Sequence, residues 1–264
     1  MDLKDILLSL LEEDKDRMFW VYECIQSGQF LLGPTDFKNF IIGFDIYSPT
    51  YVFVWTAESC PISIYAEVLD TLESCFNEEF NIIFCKPEFG AFFQGRGTNH
   101  KLSQRRRGSI IVQTCHEIAQ TFTWNESGKI CPCNGEDLTI IMAILKELEK
   151  DALLVNKVNS WADKDILYAI DSQSAYFFKN DQGKTVSFAM MANIAGNNVL
   201  LGCLYTFPQF RNHGYASAFI YLLTKKILQE RKIPRILTEC HSPYHINLKK
   251  IGYEASDSLD ILKT

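Results

Sequence analysis

The chain has 264 residues, of which 47% are hydrophobic, 22% charged and 13% aromatic, and its formal net charge is -6. That balance excludes a disordered chain, a collagen-like repeat and a small scaffold that depends on disulfides. The acidic excess argues against broad binding to a nucleic-acid backbone, so no nucleic acid is expected as a partner.

Nine cysteines, at 24, 60, 75, 85, 115, 131, 133, 203 and 240, lie mostly in apolar runs such as Ile82-Ile83-Phe84-Cys85. An odd number of thiols placed in this way reads as buried free cysteine in a reducing compartment rather than as a disulfide framework. The one close pair, Cys131-Pro132-Cys133, has no second Cys/His pair nearby and falls short of a zinc site, so no metal is expected. Residues 1–14 are amphipathic but acidic, unlike a secretory signal or a transit peptide. No apolar stretch approaches the ~18–20 residues of a membrane span. The expectation is a soluble, intracellular, cytoplasmic protein with no membrane partner.

In chain order, residues 2–13 carry Leu3, Ile6, Leu7, Leu10 and Leu11 at helical spacing, and residues 16–26 continue with Met18, Phe19, Val21, Tyr22 and Ile25. Residues 40–47 and 51–55 read as a hairpin around Ser48-Pro49-Thr50. Pro61 opens a helix with Ile64, Val68, Leu69 and Leu72 on one face, and residues 80–84 read as a strand. Periodicity then fails from 90 to 108, which predicts a loop. Its basic run, Arg105-Arg106-Arg107, is either a solvated patch or an anion contact for a phosphorylated cofactor. Residues 110–124 fit a strand or a helix. The turn-rich stretch that follows places a domain boundary near residue 130, giving an N-terminal domain 1–130 and a C-terminal domain 131–264.

In the second half, residues 138–145 read as a strand, 147–158 as a helix and 161–170 as a second short helix. Residues 175–179 and 185–191 flank the turn Asn180-Asp181-Gln182-Gly183, and 199–206 form the next strand. A helix over 215–231, a strand over 236–239, a short helix over 244–250 and a last strand from Tyr253 complete the order. No repeat of ~20–50 residues is present, which excludes solenoids and propellers.

One stretch stands out: Leu204-Tyr205-Thr206-Phe207-Pro208-Gln209-Phe210-Arg211-Asn212-His213-Gly214-Tyr215-Ala216-Ser217. It is a strand that ends in proline, a short loop, and a helix whose start carries small residues. Unpaired N–H groups and the positive dipole end at such a start can hold an anion such as a pyrophosphate. A tight strand-to-helix turn that needs glycine for its own geometry would look the same.

In its setting the stretch resembles the pyrophosphate-binding signature of the GNAT superfamily of acyl-CoA-dependent N-acyltransferases, Gln/Arg-x-x-Gly-x-Gly/Ala. Three consecutive strands precede it, and Lys249-Lys250-Ile251-Gly252-Tyr253 downstream is similar to the family's closing motif. Within that superfamily, Asp151 to Asn156, Trp161, the strand Val186 to Met191, Tyr205 to Arg211 and Ile233-Pro234 resemble the C-terminal half of glycine N-acyltransferases and their relatives.

The resemblance implies an α/β (α+β) GNAT acyl-CoA N-acyltransferase fold. Its central sheet would be mixed, mostly antiparallel and flanked by helices, with a diverged GNAT-like N-terminal half and the acyl-CoA-binding catalytic domain at 131–264. It also implies acyl-CoA as co-substrate and a small amine or amino acid, such as glycine, as acceptor. Backbone groups of Leu204, Tyr205 and Thr206 would pair with the pantetheine arm. Arg211, Asn212, His213, Gly214, Tyr215, Ala216 and Ser217 would surround the pyrophosphate. A mitochondrial location is the family's alternative to a cytoplasmic one.

Two side chains customary in the family are missing. Leu248 stands where a tyrosine often supplies the acid, and Asn198, Val199 and Leu200 occupy the positions nearest to the glutamate of glycine-acylating relatives. Glu239, at the end of the strand after the cofactor helix, is the candidate replacement base, followed by His241 and His245. Three readings therefore stand side by side: an amino-acid N-acyltransferase, a generic GNAT acting on a protein or polyamine amine, and a catalytically silent acyl-CoA-binding protein.

Overall fold

The computed structural model describes residues 2–28, 30–36, 38–45, 51–75, 82–95, 106–123, 128–151, 163–193, 196–240 and 248–263. The chain forms two compact units that are discontinuous in sequence. The first comprises residues 1–112, 238–241 and 256–264, the second residues 113–237 and 242–255.

In the first unit, α1 (Leu3–Leu11) starts on Asp2, whose carboxylate accepts from the Asp5 N–H, and buries Leu7 and Leu11. Helix α2 (Phe19–Ser27) follows. Strands β1 (Phe30–Thr35), β2 (Phe40–Asp45) and β3 (Tyr51–Thr56) pair antiparallel. Strand β4 (Ile82–Cys85) lies parallel to β3, which requires a crossover, and α3 (Ile62–Cys75) supplies it. Alternation along these strands sorts the core. Val52, Val54 and Ile83 pack with Val68, Leu69 and Leu72 of α3, while Phe53 and Phe84 point the other way and stack near Trp20 of α2. Helix α4 (Pro87–Gly95) adds Phe89 and Phe93 to the α3 side. Strand β5 (Arg106–Cys115) follows, and the last strand, β11 (Tyr253–Lys263), pairs antiparallel with β4.

The second unit is built the same way. Strands β6 (Gly128–Pro132), β7 (Ala175–Asn180), β8 (Thr185–Asn193) and β9 (Asn198–Thr206) are successively antiparallel. Helix α7 (Tyr215–Gln229) then crosses over to β10 (Ile233–Glu239), which runs parallel to β9. Tyr176, Phe178, Val186 and Leu201 face Phe219, Leu223 and Ile227 of α7. Phe177 and Phe188 face the opposite layer, Ile141, Ile144 and Leu145 of α5 (Leu138–Asp151) and Ile166 and Ile170 of α6 (Asp163–Asp171).

Several expectations are corrected. Residues 138–145 are the start of helix α5, not a strand. Asn134 caps the preceding turn, accepting from Glu136 N–H while its own N–H donates to Asp137, and the apolar spacing 138, 141, 145, 148 is helical. Of the interval 90–108 expected to be a loop, residues 90–95 belong to α4, whose phenylalanines at 89, 92 and 93 follow helical spacing, and 106–108 to β5, while residues 96–105 lie outside the described residues. Arg107 of the basic run is partly buried and tied into the fold. It pairs with Asp260, which is fully buried and also accepts from Ser109 Oγ at 2.6 Å. Arg105 lies outside the described residues. Residues 248–250 form a 3-10 turn in which Leu248 is buried, and residues 244–247 of the expected short helix lie outside the described residues. Strands β1 and β6 were not anticipated at all; β1 contains Gly33-Pro34 and β6 is the short segment that ends in Pro132. The cysteines at 24, 60, 85, 115, 131, 133, 203 and 240 are free thiols. Among the described residues no group of His, Cys, Asp and Glu is arranged to hold a metal, and no helix is long and apolar enough to cross a membrane.

Candidate acyl-CoA site

The expected cofactor-binding residues converge at the C-terminal end of β9 and the start of α7. Strand β9 is paired with β10 only at its beginning, where Asn198, Val199, Leu200 and Leu201 face Ile233, Pro234, Arg235 and Ile236. It continues to Thr206, and the ladder with β10 ends just before a β-bulge against β8. Phe188 faces Tyr205 while Met190 faces Gly202, so Cys203 and Leu204 together oppose Ala189. Cys203 carries the extra residue in a left-handed conformation, φ 52°. The bulge moves the side-chain alternation by one step. Leu201 and Leu204 lie on the α7 side, whereas Cys203 and Tyr205 lie on the α5 side.

Past the bulge the hydrogen-bonding phase is fixed by Phe207, whose N–H donates to Val186 O at 3.1 Å. In an antiparallel ladder the neighbouring residue then turns its own N–H and C=O away from the partner strand. Thr206 is that residue, so its peptide groups point to the side on which β9 has left β10. The close side-chain approach of such a non-hydrogen-bonded pair is seen in the Ser187 and Thr206 hydroxyls, which bond at 2.9 Å. Burial pushes the Cys203 thiol up to about 12, so at neutral pH it is an S–H and not a nucleophilic thiolate.

Pro208 starts a 3-10 turn that ends at Arg211. Asn212 and Gly214 then adopt left-handed conformations, φ 64° and 82°, and α7 begins at Tyr215. No acidic residue stands in the first turn of α7, and no side chain caps it, so the amides of Tyr215, Ala216 and Ser217 face outward without a carboxylate in the way. A Cβ placed on Gly214 would meet nothing within 4 Å, so the glycine is required by its φ, and the space above it is open. His213 Nδ1 lies 2.6 Å from Arg211 O, and its ring stacks on Tyr215 with centroids 6.1 Å apart.

The closing motif is structural. A Cβ on Gly252 would run into the backbone of Glu117, and Leu248, Ile251 and Tyr253 pack in the core beside Ile220 of α7. Leu248 therefore supplies no acid. Asn198 is equally committed, buried and accepting from Arg235 Nε at 2.6 Å, so it is no base. Glu239 closes β10 and is partly buried; the neighbouring Cys240 N–H donates to Ser109 O at 2.8 Å. His241 and His245 lie outside the described residues.

Residues 142–252 match the sequence model of the acetyltransferase (GNAT) family. Among solved structures, the chain is similar to a Drosophila protein at 12% identity and a TM-score of 0.61, covering 99% of this chain and 95% of that one. It is also similar to a GCN5-related N-acetyltransferase from Sphaerobacter thermophilus, at 10% identity and a TM-score of 0.60 over 99% and 91% of the two chains. For a GNAT-family acetyltransferase from Colwellia psychrerythraea the figures are 12%, 0.54, 97% and 96%. A comparison with curated protein sequences finds no match. The chain thus has the GNAT fold, a mixed sheet flanked by helices, with a GNAT acetyltransferase-family match across its second half.

Proposed function

We propose that this protein moves an acyl group from acyl-CoA to the amine of a small acceptor, with an amino acid such as glycine as the acceptor favoured by the sequence resemblance. The observation that carries this reading is the departure of β9 from β10 at a bulge, directly before an acid-free helix start opened by Gly214. An extended pantetheine arm can pair with the freed edge of Leu204, Tyr205 and Thr206, and a pyrophosphate can sit on the amides from Asn212 to Ser217. Residues 131–264 would then be the catalytic domain. The repeated order of antiparallel strands, crossover helix and parallel strand supports a GNAT-like origin for the N-terminal half.

The chemistry is direct aminolysis of a thioester. The amine nitrogen bonds to the carbonyl carbon, the C–S bond breaks, the amine gives up a proton and the CoA thiolate takes one. The Thr206 N–H, turned to the open side, is placed to polarise the carbonyl oxygen. Glu239 is the proposed base, with His241 and His245 as the other candidates. Glu239→Gln keeps the shape and removes the basicity. It is expected to lower turnover by roughly 10²–10⁴-fold with CoA affinity unchanged, and the deficit shrinks as rising pH supplies free amine. A pH–rate profile checks this; a profile identical to that of wild type eliminates Glu239.

The second reading, a silent acyl-CoA-binding protein, is favoured by one observation: Leu248 and Asn198 are both built into the core and neither can serve as acid or base. A thiol-release assay with a panel of acyl-CoAs, offered amino acids, polyamines and lysine peptides, separates the readings. Release dependent on an amino acid supports the first, release with polyamines or peptides alone redirects the acceptor, and CoA binding without release leaves the silent binder.

A further inference from the structure

We propose that Arg211 is a positioning residue that clamps the end of β9, and that it acts through its Nε–H donor rather than through its charge on the cofactor's phosphates. This rests on the acyl-CoA reading above. Arg211 begins the turn expected to hold pyrophosphate, yet its side chain folds back to the strand. Its Nε–H donates to Thr206 O at 3.0 Å, and its guanidinium carbon lies 5.8 Å from the centre of the Tyr205 ring, within cation–π range.

The bond has a specific consequence for the peptide unit that joins Thr206 and Phe207. On one side the Phe207 N–H donates to Val186 O of β8; on the other the Thr206 C=O accepts from Arg211. One plane is therefore held from both sides at the point where β9 has no ladder with β10. A strand end lacking its lateral partner is otherwise free to rotate its peptide groups, and a rotation there would carry the neighbouring Thr206 N–H away from the thioester. The backbone of Arg211 is anchored as well, with its N–H bonded to Pro208 O and its carbonyl beside His213 Nδ1. Arg211 thereby couples the strand end, where the pantetheine arm would lie, to the turn, where the phosphates would lie.

Two substitutions separate donor from charge. In Arg211→Gln the side-chain amide nitrogen stands the same number of bonds from Cα as arginine Nε, so the donor is kept and the charge removed. In Arg211→Lys the charge is kept, but a methylene occupies the Nε position. Calorimetry with CoA and with 3′-phospho-ADP, which lacks the pantetheine arm, reads the two halves of the site, and thermal midpoints show that the variants are folded. Arg211→Gln is expected to bind both probes within threefold of wild type. Arg211→Lys is expected to lose at least tenfold for CoA while staying within threefold for 3′-phospho-ADP. Any other pattern overturns the clamp; in particular, an Arg211→Lys protein that binds both probes normally beside an Arg211→Gln protein that loses 3′-phospho-ADP assigns the residue to phosphate charge. A wild-type protein that binds no CoA overturns the acyl-CoA reading itself, and the clamp with it.

Discussion

Asp14→Ala is expected to destabilise the first unit by about 3–5 kcal/mol, the cost typical of removing one partner from a buried ion pair. Asp14 and Lys86 are 8% and 3% exposed, and the Lys86 ammonium stands 2.6 Å from the Asp14 carboxylate and 5.3 Å from the Trp55 ring centre. Trp55 Nε1–H donates to the same carboxylate at 2.7 Å, and Arg17 pairs with its other oxygen. Without Asp14 the Lys86 charge is left buried and unneutralised. Burial alone would raise the Asp14 pKa, but the hydrogen bonds from Lys86, Arg17 and Trp55 outweigh it and hold the group below the usual aspartate value. Since the folded pKa is the lower one, the carboxylate's contribution is complete at neutral pH and is lost as pH falls below the unfolded value of about 4 toward the folded one. Urea unfolding followed by tryptophan fluorescence should therefore show a wide gap between wild type and Asp14→Ala at neutral pH that narrows in acid. The double variant Asp14→Leu with Lys86→Met should be more stable than Asp14→Leu alone, because it removes the buried ammonium that the single variant leaves unneutralised, while Arg17 loses its partner in both.

Ser217→Asp is expected to weaken CoA binding at least tenfold, about 1.4 kcal/mol, without harming the fold. Ser217 is the third residue of α7, where an acidic side chain faces unpaired amides and the positive end of the helix dipole. The free protein should gain roughly 0.3–1 kcal/mol from that placement, whereas a bound pyrophosphate would meet a carboxylate in its own cradle. Opposite signs for stability and affinity make this variant more informative than a branched residue at Gly214, where φ 82° would strain any side chain whether or not a ligand binds there. Thermal midpoints with and without CoA check both halves: the midpoint should rise in the free protein, and the rise caused by CoA should largely disappear.

The parts of the fold legible from sequence are those set by local periodicity and turn chemistry. The hairpin at Asn180 is one: its side chain accepts from Lys184 N–H, and Gly183 supplies a φ of 74°. Helix α7 and the turn before it are others, because Gly214, the proline and the apolar face of α7 are all near neighbours in the chain. Helix α5 is marked only by its flanks, since an isoleucine-rich start favours a strand until the Asn134 cap and the later leucine spacing are counted. Arg107 was beyond reach, because its partner Asp260 lies 153 residues away and nothing local marks the pair. The same holds at the site. The amides of the turn could be anticipated, but the bulge at Cys203 is imposed by registration with β8, and the Arg211 to Thr206 bond depends on how the chain doubles back after Pro208.

The claim at the centre of the account is that the turn from β9 into α7 binds the pyrophosphate of an acyl-CoA. Calorimetric titration of the wild-type protein with CoA, repeated with Ser217→Asp, tests it most directly. Saturable binding by the wild type that falls at least tenfold in the variant is the predicted result; a folded wild-type protein that gives no binding, or a variant that binds CoA as tightly as wild type, would contradict it.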